Sequence, residues 1–445
     1  MPLSADSAPA VPAPAWRSVV LIAVMIAAGF GATLIVFYPG VMTYDAKYVY
    51  GYIAQGFLGD WQSPVMTVLW SLIDPIAPGP ASMFLLIVTS YWLGFGLLAF
   101  TMARRSIRLA VLLLLLAASP PAFVFVGIIW RDVLFAMTWL LAAALVFAVA
   151  DRNAKLRVPI QATAIGLLAL GVLLRPNALL AAPVLGVYIA WPTQFSWKRA
   201  TIIFVPAAVG LFALVQVVYY GALGAKREHP LQSIMVFDLG GISHFTKENQ
   251  FPVAWSASET ALLTAGCYQP TLWDIYWTHE PCRFVMERLE RDKIFGAPAI
   301  VDAWKRAVAN HPIAYLQHRA AFMWNLLAGA NLTMWVYDLD DPSKLPLADR
   351  PAFAALVAMH NVLKPTPLFR AGTWLLVCIA MCAVAWRRRN APTGAFAIGV
   401  CGSAAVYVLT FFAVGVASDF RYAYWAVLAG IAGGVALALG RSEPT

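Results

Sequence analysis

The chain has 445 residues, of which 61% are hydrophobic and only 12% are charged, and its formal net charge is +9. A soluble globular protein has roughly half apolar and a quarter charged residues, so this composition excludes an ordinary soluble domain. A nucleic-acid-binding surface would need the basic residues clustered on one folded face. They lie instead between apolar runs, and we predict a membrane protein with no nucleic-acid partner.

Ten apolar runs follow one another along the chain. Most suit the ~30 Å hydrocarbon core of a bilayer, which needs about 20 helical residues. They predict an all-α polytopic membrane protein with about ten transmembrane helices. The first run ends in Tyr38-Pro39-Gly40 and not in a small-residue cleavage site, so we interpret it as a retained anchor. The runs are 18–37, 83–100, 109–116, 133–150, 160–174, 178–191, 202–219, 374–386, 395–414 and 422–439.

Lysine and arginine predict the orientation, because they stay on the cytoplasmic side of membrane helices. With a cytoplasmic N-terminus, alternate loops hold 13 basic and three acidic residues, whereas segment 221–370 holds 14 of each. We therefore expect both termini in the cytoplasm and 221–370 outside it. The expected order is a disordered Ala/Pro/Ser-rich cytoplasmic tail at 1–16, a membrane module at 17–220, a mostly helical extracytoplasmic segment at 221–370 and a C-terminal three-helix membrane region at 371–445.

The first outer loop, 38–80, is rich in Tyr and Trp. Its stretches 44–57 and 64–73 are predicted to form short helices in the membrane interface. The outer segment shows helical patterns at 281–293 and 299–310. The apolar stretch 320–337 would invert all later helices if it alone crossed the membrane, so we favour an interfacial helix or a hairpin completed by 353–363.

Two of the five cysteines, Cys267 and Cys282, fall in the outer segment. Outside the cytoplasm such a pair can form a disulfide that constrains a loop with little core of its own. The alternative is two free thiols.

Charged residues gather at the predicted outer ends of the helices, where an ionisable group suggests function. Arg131, Arg175 and Arg421 suit an anionic ligand, because guanidinium groups bind phosphate oxygens through paired donors. Asp45 and Asp60 offer a general base or a metal ligand. This combination fits transfer from a phosphate-linked donor. The alternative is structural: the arginines could be snorkelling anchors, and neighbouring acids and bases could form loop-fixing ion pairs.

All six histidines lie in the outer segment, but their spacing does not form a paired zinc-ligand pattern. Exclusion of His from membrane spans explains their distribution better. The sequence also lacks a Gly-rich phosphate loop, a Gly-x-Ser-x-Gly elbow and a His-Glu-x-x-His motif.

Five short motifs at helix ends resemble the GT-C superfamily of integral membrane glycosyltransferases, which includes protein mannosyltransferases and lipid A aminoarabinose transferases. The second motif has Ser-Pro where relatives often carry His-Pro, and the third has Arg-Asp where they often show Lys-Asp. The motifs are Tyr38-Pro39-Gly40…Tyr44-Asp45-Ala46, Gly59-Asp60-Trp61-Gln62-Ser63-Pro64, Trp130-Arg131-Asp132-Val133-Leu134-Phe135, Leu174-Arg175-Pro176-Asn177 and Asp419-Phe420-Arg421-Tyr422.

The resemblance implies a polyprenyl-phosphate sugar donor, reached from the outer leaflet of the membrane lipid, and an extracytoplasmic acceptor that is a glycan, a lipid or a protein. It places the protein in the bacterial inner (plasma) membrane and maps the catalytic carboxylate of the first loop onto Asp45, with Asp60 as a second candidate. The arginines become candidates for the donor phosphate. The other candidate substrate-binding residues are Gln62, Asp132, Asn177, Asp419 and Tyr422.

Metal use stays open at this point. The superfamily resemblance allows a divalent cation, whereas Tyr44-Asp45-Ala46 is not an Asp-x-Asp motif and gives Asp45 no adjacent acidic partner. No other cofactor is implied.

Two further functions compete with glycosyl transfer. A multi-pass transporter or lipid flippase would carry repeats and polar groups near the membrane midplane, but the strong polar groups here lie at helix ends. A polymerase or ligase of surface glycans outside the superfamily would need long lipid-linked glycans as donors, whereas the first hypothesis needs one lipid-linked sugar.

Overall fold

The computed structural model describes residues 15–330 and 347–440, and these form an all-α protein with a minute β-ladder. The predicted tail therefore lies outside the described residues except for its last two, and so do residues 331–337 of the 320–337 stretch. The N-terminal helices are α1 (Trp16–Phe37), α2 (Tyr44–Gln55), α3 (Pro64–Ile73), α4 (Pro80–Ala103), α5 (Ile107–Ala117), α6 (Pro120–Phe123), α7 (Arg131–Val149), α8 (Ala154–Leu174), α9 (Ala182–Ala190) and α10 (Trp197–Gln216).

The second half of the chain continues as helices and short helical turns. The two strands of the ladder are β1 (Val41–Met42) and β2 (Ile128–Ile129). A π-helical turn, Val217–Ala222, extends α10, and 3₁₀ turns lie at Asp74–Ile76, Pro176–Leu180, Leu347–Asp349, Pro367–Phe369 and Phe420–Ala423. The remaining helices are α11 (Leu231–Thr246), α12 (Ala257–Ala265), α13 (Ile275–Thr278), α14 (Phe284–Arg291), α15 (Pro298–Asn310), α16 (Pro312–Ala328), α17 (Pro351–Leu363), α18 (Ala371–Trp386), α19 (Pro392–Val414) and α20 (Tyr424–Gly440).

Within residues 15–330 and 347–440, seven helical segments are long and apolar enough to cross a membrane, and the chain is a multi-span helical membrane protein. All ten predicted runs are helical, but three correspond to shorter helices, namely α5, α9 and α18. At 1.5 Å per residue, the 11 residues of α5 are too short to cross a ~30 Å core unaided. The seven segments are Trp16–Phe37, Pro80–Ala103, Arg131–Val149, Ala154–Leu174, Trp197–Ala222, Pro392–Val414 and Phe420–Gly440.

The spans differ in how much of their surface the protein covers. In the apolar window of the last span 89% of the residues are buried, and in α7 83% are, so these helices form the centre of the bundle. Only 6% are buried in the α10 segment and 11% in α1. Their exposed apolar side chains belong against lipid, because a soluble surface would leave such a large apolar area in water.

Short polar residues begin several helices. The Thr43 hydroxyl accepts the Ala46 N–H at the start of α2, and the Ser63 hydroxyl accepts the Met66 N–H at the start of α3. These caps satisfy backbone donors that have no partner inside the helix. The helices α2 and α3 confirm the short helices that were predicted at 44–57 and 64–73.

Helices α11 to α16, in the predicted outer segment, pack as a small helical unit against the end of the bundle where residues 38–80 lie. Cys267 and Cys282 form the predicted disulfide, with their Cα atoms 5.5 Å apart. Arg319 lies fully buried on α16, where its Nη2 is 2.7 Å from Asp238 Oδ1 and its Nη1 donates to the Gly415 carbonyl at 2.6 Å. Gly415 follows α19, so Arg319, which Asp238 holds in place, ties α16 to the turn before α20.

Candidate active site

Four distant chain segments meet at one end of the bundle: the first outer loop, the turn before α7, the turn after α8 and the turn before α20. Parallel pairing aligns Val41 with Ile128 and Met42 with Ile129. The Thr43 hydroxyl also donates to the Ile129 carbonyl at 3.4 Å. This pairing brings the first turn of α2, which carries Asp45, beside the turn that leads into α7.

Asp45 and Arg421 form an ion pair at the centre of this region. Arg421 Nη1 donates to Asp45 Oδ2 at 2.8 Å, and Gln62 Nε2 donates to Asp45 Oδ1 at 3.0 Å. The side chain of Asp45 is 30% exposed and that of Arg421 is 17% exposed. Both oxygens of the carboxylate are therefore bound, yet the pair can still be reached from outside the protein.

Arg421 has further partners that fix its position. Its Nε lies 3.7 Å from Asp419 Oδ2, and its Cζ lies 4.6 Å from the centre of the Trp130 ring. Asp419 also accepts the backbone N–H of Arg421 at 2.9 Å, so it caps the 3₁₀ turn that carries this arginine. The guanidinium thus lies on an aromatic face between two carboxylates.

A second ion pair lies deeper. Arg175 Nε is 2.8 Å from Asp132 Oδ1, and the two side chains are only 10% and 4% exposed. The Tyr422 ring links this pair to the first, because its centre is 5.0 Å from the Arg175 Cζ and 5.1 Å from the Arg421 Cζ. The ring is held by stacking on Phe411 at 4.7 Å.

Arg131 differs from the other two arginines. Its Nη1 donates to the Trp61 carbonyl at 3.3 Å, and no carboxylate of residues 15–330 or 347–440 lies within ion-pair distance of it. Its charge is therefore the least compensated of the three and the most available to an incoming anion.

The two carboxyls next to Arg421 differ in acidity. Burial raises the pKa of Asp45, but the positive charges of Arg421 and Arg131 outweigh burial and hold this pKa below its usual value. Burial raises the pKa of Asp419 to about 6, because Arg421 compensates only part of the desolvation cost. Asp45 is therefore an ionised carboxylate at neutral pH, whereas Asp419 titrates closer to neutrality.

Two predicted site residues have other surroundings. Asp60 Oδ2 accepts the Tyr220 hydroxyl at 2.7 Å and its Oδ1 accepts the Glu228 N–H at 2.5 Å, next to a β-bridge between Gly59 and Lys226. These contacts favour a loop-fixing role for Asp60. Asn177 follows Arg175 in a 3₁₀ turn, and its buried Oδ1 has no hydrogen-bond partner within the described part of the chain.

The structure adds residues that the sequence patterns did not indicate. Residues 271–273 pair with the turn before α20: the Ser418 N–H donates to the Thr271 carbonyl at 2.6 Å, and the Trp273 N–H donates to the Val416 carbonyl at 2.8 Å. This places Asp274 in the electrostatic field of Asp45 and Arg421. The only sequence signal was the Trp-Asp pair at 273–274, which any interfacial loop could contain.

The residues at this site do not fit a divalent cation. Arg421 contacts both Asp45 and Asp419, and a guanidinium between two carboxylates repels a second cation. Within 15–330 and 347–440, no three His, Cys, Asp or Glu side chains are arranged to hold a metal ion.

Comparisons with known proteins give one structural similarity. No family model matches the chain, and no curated protein matches it. The crystal structure of ArnT from Cupriavidus metallidurans, bound to undecaprenyl phosphate, is similar at a TM-score of 0.35 and 16% identity, covering 94% of this chain and 78% of that one. A TM-score this low does not establish a common fold.

Proposed function

We propose that the protein is a membrane glycosyltransferase of the GT-C type, which moves a sugar from a polyprenyl-phosphate-linked donor to an extracytoplasmic acceptor. The observation that carries the proposal is the meeting of an ionised carboxylate, Asp45, with three arginines at one end of an apolar bundle. Arginines bind phosphate oxygens, and a carboxylate accepts a proton from a hydroxyl. A lipid carrier would reach this end from the surrounding bilayer.

The proposed reaction breaks one bond and forms another at the anomeric carbon of the donor sugar. The acceptor hydroxyl oxygen attacks this carbon, the bond to the phosphate oxygen breaks, and the hydroxyl proton passes to Asp45. Polyprenyl phosphate leaves with the bonding electrons, and Arg131, Arg175 and Arg421 stabilise its charge. An incoming phosphate also competes with Asp45 for Arg421, which frees the carboxylate to act as the base.

The proposal includes a topology. It has about ten spans, both termini in the cytoplasm and the site at the outer face of the bacterial inner membrane. The distribution of lysine and arginine supports this orientation. The three short helices α5, α9 and α18 would complete their spans with flanking residues.

Replacing Asp45 by Asn tests the base. Membranes that contain wild-type protein should transfer radiolabelled sugar from a polyprenyl-phosphate donor, and Asp45→Asn should lower the rate by at least about 100-fold because the amide cannot accept the proton. Asp74→Asn is the matched control: Asp74 lies in the same loop, but its Oδ1 accepts the Tyr50 hydroxyl and the Gly79 N–H. It should leave transfer within about twofold, since an amide oxygen can still accept.

The outcomes separate the competing functions. Equal transfer by Asp45→Asn and wild type, at matched expression, would refute Asp45 as the base. Absence of transfer from every single-sugar donor by folded wild-type protein would refute the glycosyltransferase and favour a transporter or flippase. Transfer from long lipid-linked glycans alone would indicate a polymerase or ligase.

A further inference from the structure

Three tryptophans from two distant segments form a cluster beside the Asp45–Arg421 pair. Trp61 belongs to the first outer loop, and Trp273 and Trp277 belong to the outer segment. The ring centres of each pair are 5.8 to 6.0 Å apart. Trp273 is buried, Trp61 is half-buried and Trp277 is 39% exposed. The cluster therefore has an inner packed side and an outer side that is open.

Backbone contacts fix this cluster relative to the site. The Trp61 carbonyl accepts from Arg131, and Gln62, the next residue, donates to Asp45. The Trp273 N–H donates to the Val416 carbonyl in the turn that leads to Arg421. The Trp61 half of the cluster thus adjoins residues that contact Arg131 and Asp45, and the Trp273 half is bonded to the turn that carries Arg421.

The polar groups around the cluster are free to bind a ligand. Within the described part of the chain, the indole N–H groups of all three tryptophans lack a hydrogen-bond acceptor. The Asp274 carboxylate, between Trp273 and the helix α13 that carries Trp277, likewise has no side-chain donor or ion-pair partner there. Burial and the negative charge of Asp45 raise the pKa of Asp274. A carboxyl in this position is stabilised by a hydrogen-bond donor that carries no negative charge.

We propose that Trp61, Trp273, Trp277 and Asp274 form the acceptor subsite and that they bind a pyranose ring, so that the acceptor is a carbohydrate. The apolar C–H face of a pyranose packs on an indole ring, and its hydroxyls need hydrogen-bond donors and acceptors at the edge. The subsite supplies both. The arginines occupy the side suited to the donor phosphate, which leaves the tryptophan side for the acceptor. The role of the bound sugar as the acceptor rests on the proposed function, whereas the binding of the sugar does not.

Binding is tested without any transfer reaction. Purified full-length protein in a detergent without sugar groups is mixed with methyl glucoside, galactoside, mannoside and N-acetylglucosaminide, and saturation-transfer difference NMR detects which pyranoside binds. We expect a signal on the ring protons of at least one pyranoside. It should fall about fivefold or more in Trp277→Leu, which removes the aromatic face but keeps an apolar side chain.

Two further variants keep this test decisive. Trp324→Leu changes a tryptophan on α16 that is 72% exposed, and it should keep the full signal. Asp274→Asn keeps the size of the side chain but removes its charge, and it should weaken the signal about tenfold if the carboxylate accepts sugar hydroxyls. No signal with any pyranoside, or equal signals from wild type and folded Trp277→Leu, would overturn the subsite.

A transfer assay then separates this inference from the proposed function. The pyranoside that binds should inhibit sugar transfer in wild-type membranes. In Trp277→Leu its half-inhibitory concentration should rise about fivefold, while the KM for the donor changes by less than about twofold. Binding without any transfer would support the subsite and refute the glycosyltransferase. Transfer that needs Asp45, but that the pyranoside does not inhibit and Trp277→Leu does not change, would support the glycosyltransferase and refute the subsite.

Discussion

Arg421 holds Asp45 in an ion pair that lowers the affinity of the carboxylate for a proton. Water solvates a partly exposed ion pair only in part, so each charge depends on its partner for stabilisation. Removal of one partner therefore leaves the other charge uncompensated. Arg421 retains Asp419 as a second partner at 3.7 Å, so it can move from Asp45 to a phosphate without losing all its negative neighbours. The two carboxylates therefore have different tasks in the proposed reaction, although both contact one guanidinium.

Asp419 makes the stability of the protein depend on pH. Its pKa is about 6 in the folded protein, whereas the carboxyl of an unfolded chain titrates near ~3.9. The folded state therefore binds this proton more tightly, and the stability from protonation is present below about pH 4 and lost as the pH rises through 6. We expect wild type to lose stability relative to Asp419→Asn as the pH rises from 4 to 6. The Tm of wild type minus that of Asp419→Asn should therefore fall over this range, and the corresponding loss of unfolding free energy is at most about 3 kcal/mol.

Thermal unfolding of both proteins in detergent, at steps between pH 4 and 7, measures this difference. Other titrating groups affect the two proteins alike and cancel. The Asn side chain can still accept the Arg421 backbone N–H, so the cap of the turn is kept. A Tm difference that is constant from pH 4 to 7 would show that Asp419 has an ordinary pKa.

Among the structural elements, the two-residue ladder of β1 and β2 determines where Asp45 lies, because it holds the start of α2 beside the turn that leads into α7. It requires close approach of the backbone: the Val41 N–H donates to the Gly127 carbonyl at 2.8 Å. A Cβ atom on Gly127 would lie 1.9 Å from Cγ of Phe37, the last residue of α1. The ladder thus depends on a glycine that lies outside the strands themselves.

Gly127→Ala should therefore destabilise the protein by about 1 to 3 kcal/mol, because Phe37 must move to make room. Transfer activity should fall as well, since the shift displaces α2 and Asp45. Thermal unfolding and the transfer assay measure the two effects. Gly166→Ala is the control: apart from the neighbouring backbone of its own helix, no described atom lies within 4 Å of its added Cβ, and alanine favours the helix α8, so stability should stay equal or rise slightly. Equal stability of Gly127→Ala and wild type would contradict the close packing.

Helices were more predictable than their contacts. The apolar runs and the pattern of 299–310 identified helices within a few residues, as α15 at Pro298–Asn310 illustrates. Asp45, Gln62 and Arg421 were chosen from three separate motifs of the sequence, and the structure brings them into contact. The sequence could not indicate Asp274 as a site residue, because the contact that places it near Asp45 is a backbone bridge between Leu272 and Ala417. Backbone bridges do not depend on side-chain type, so they leave no pattern in the sequence.

At the scale of the whole molecule, the two most buried spans begin beside the site and the exposed spans face lipid. Composition predicted a multi-span membrane protein, but an apolar run does not by itself indicate whether its helix is buried or faces lipid. The central position of α20 and the outer position of α10 emerge only from packing, since an apolar residue satisfies either environment.

The orientation can be measured directly with single-cysteine variants. Ser256→Cys, in the outer segment, should react with a membrane-impermeant maleimide in intact cells, whereas Asn153→Cys, between α7 and α8, should react only after lysis; both positions are exposed. Wild-type protein is the background control, because Cys378 and Cys401 are buried and Cys382 is partly buried. Labelling of Asn153→Cys in intact cells, without labelling of Ser256→Cys, would invert the proposed topology.

The ion pair between Asp45 and Arg421 joins residues that are 376 positions apart in the chain. During synthesis on the ribosome, the carboxylate is already at the membrane while most of the helices that enclose it have not yet been made. Arg421 arrives only when the final span of the described chain inserts. Ribosomal products that stop before that span would thus contain the proposed base without its partner, and activity would appear only after the last helix is in place.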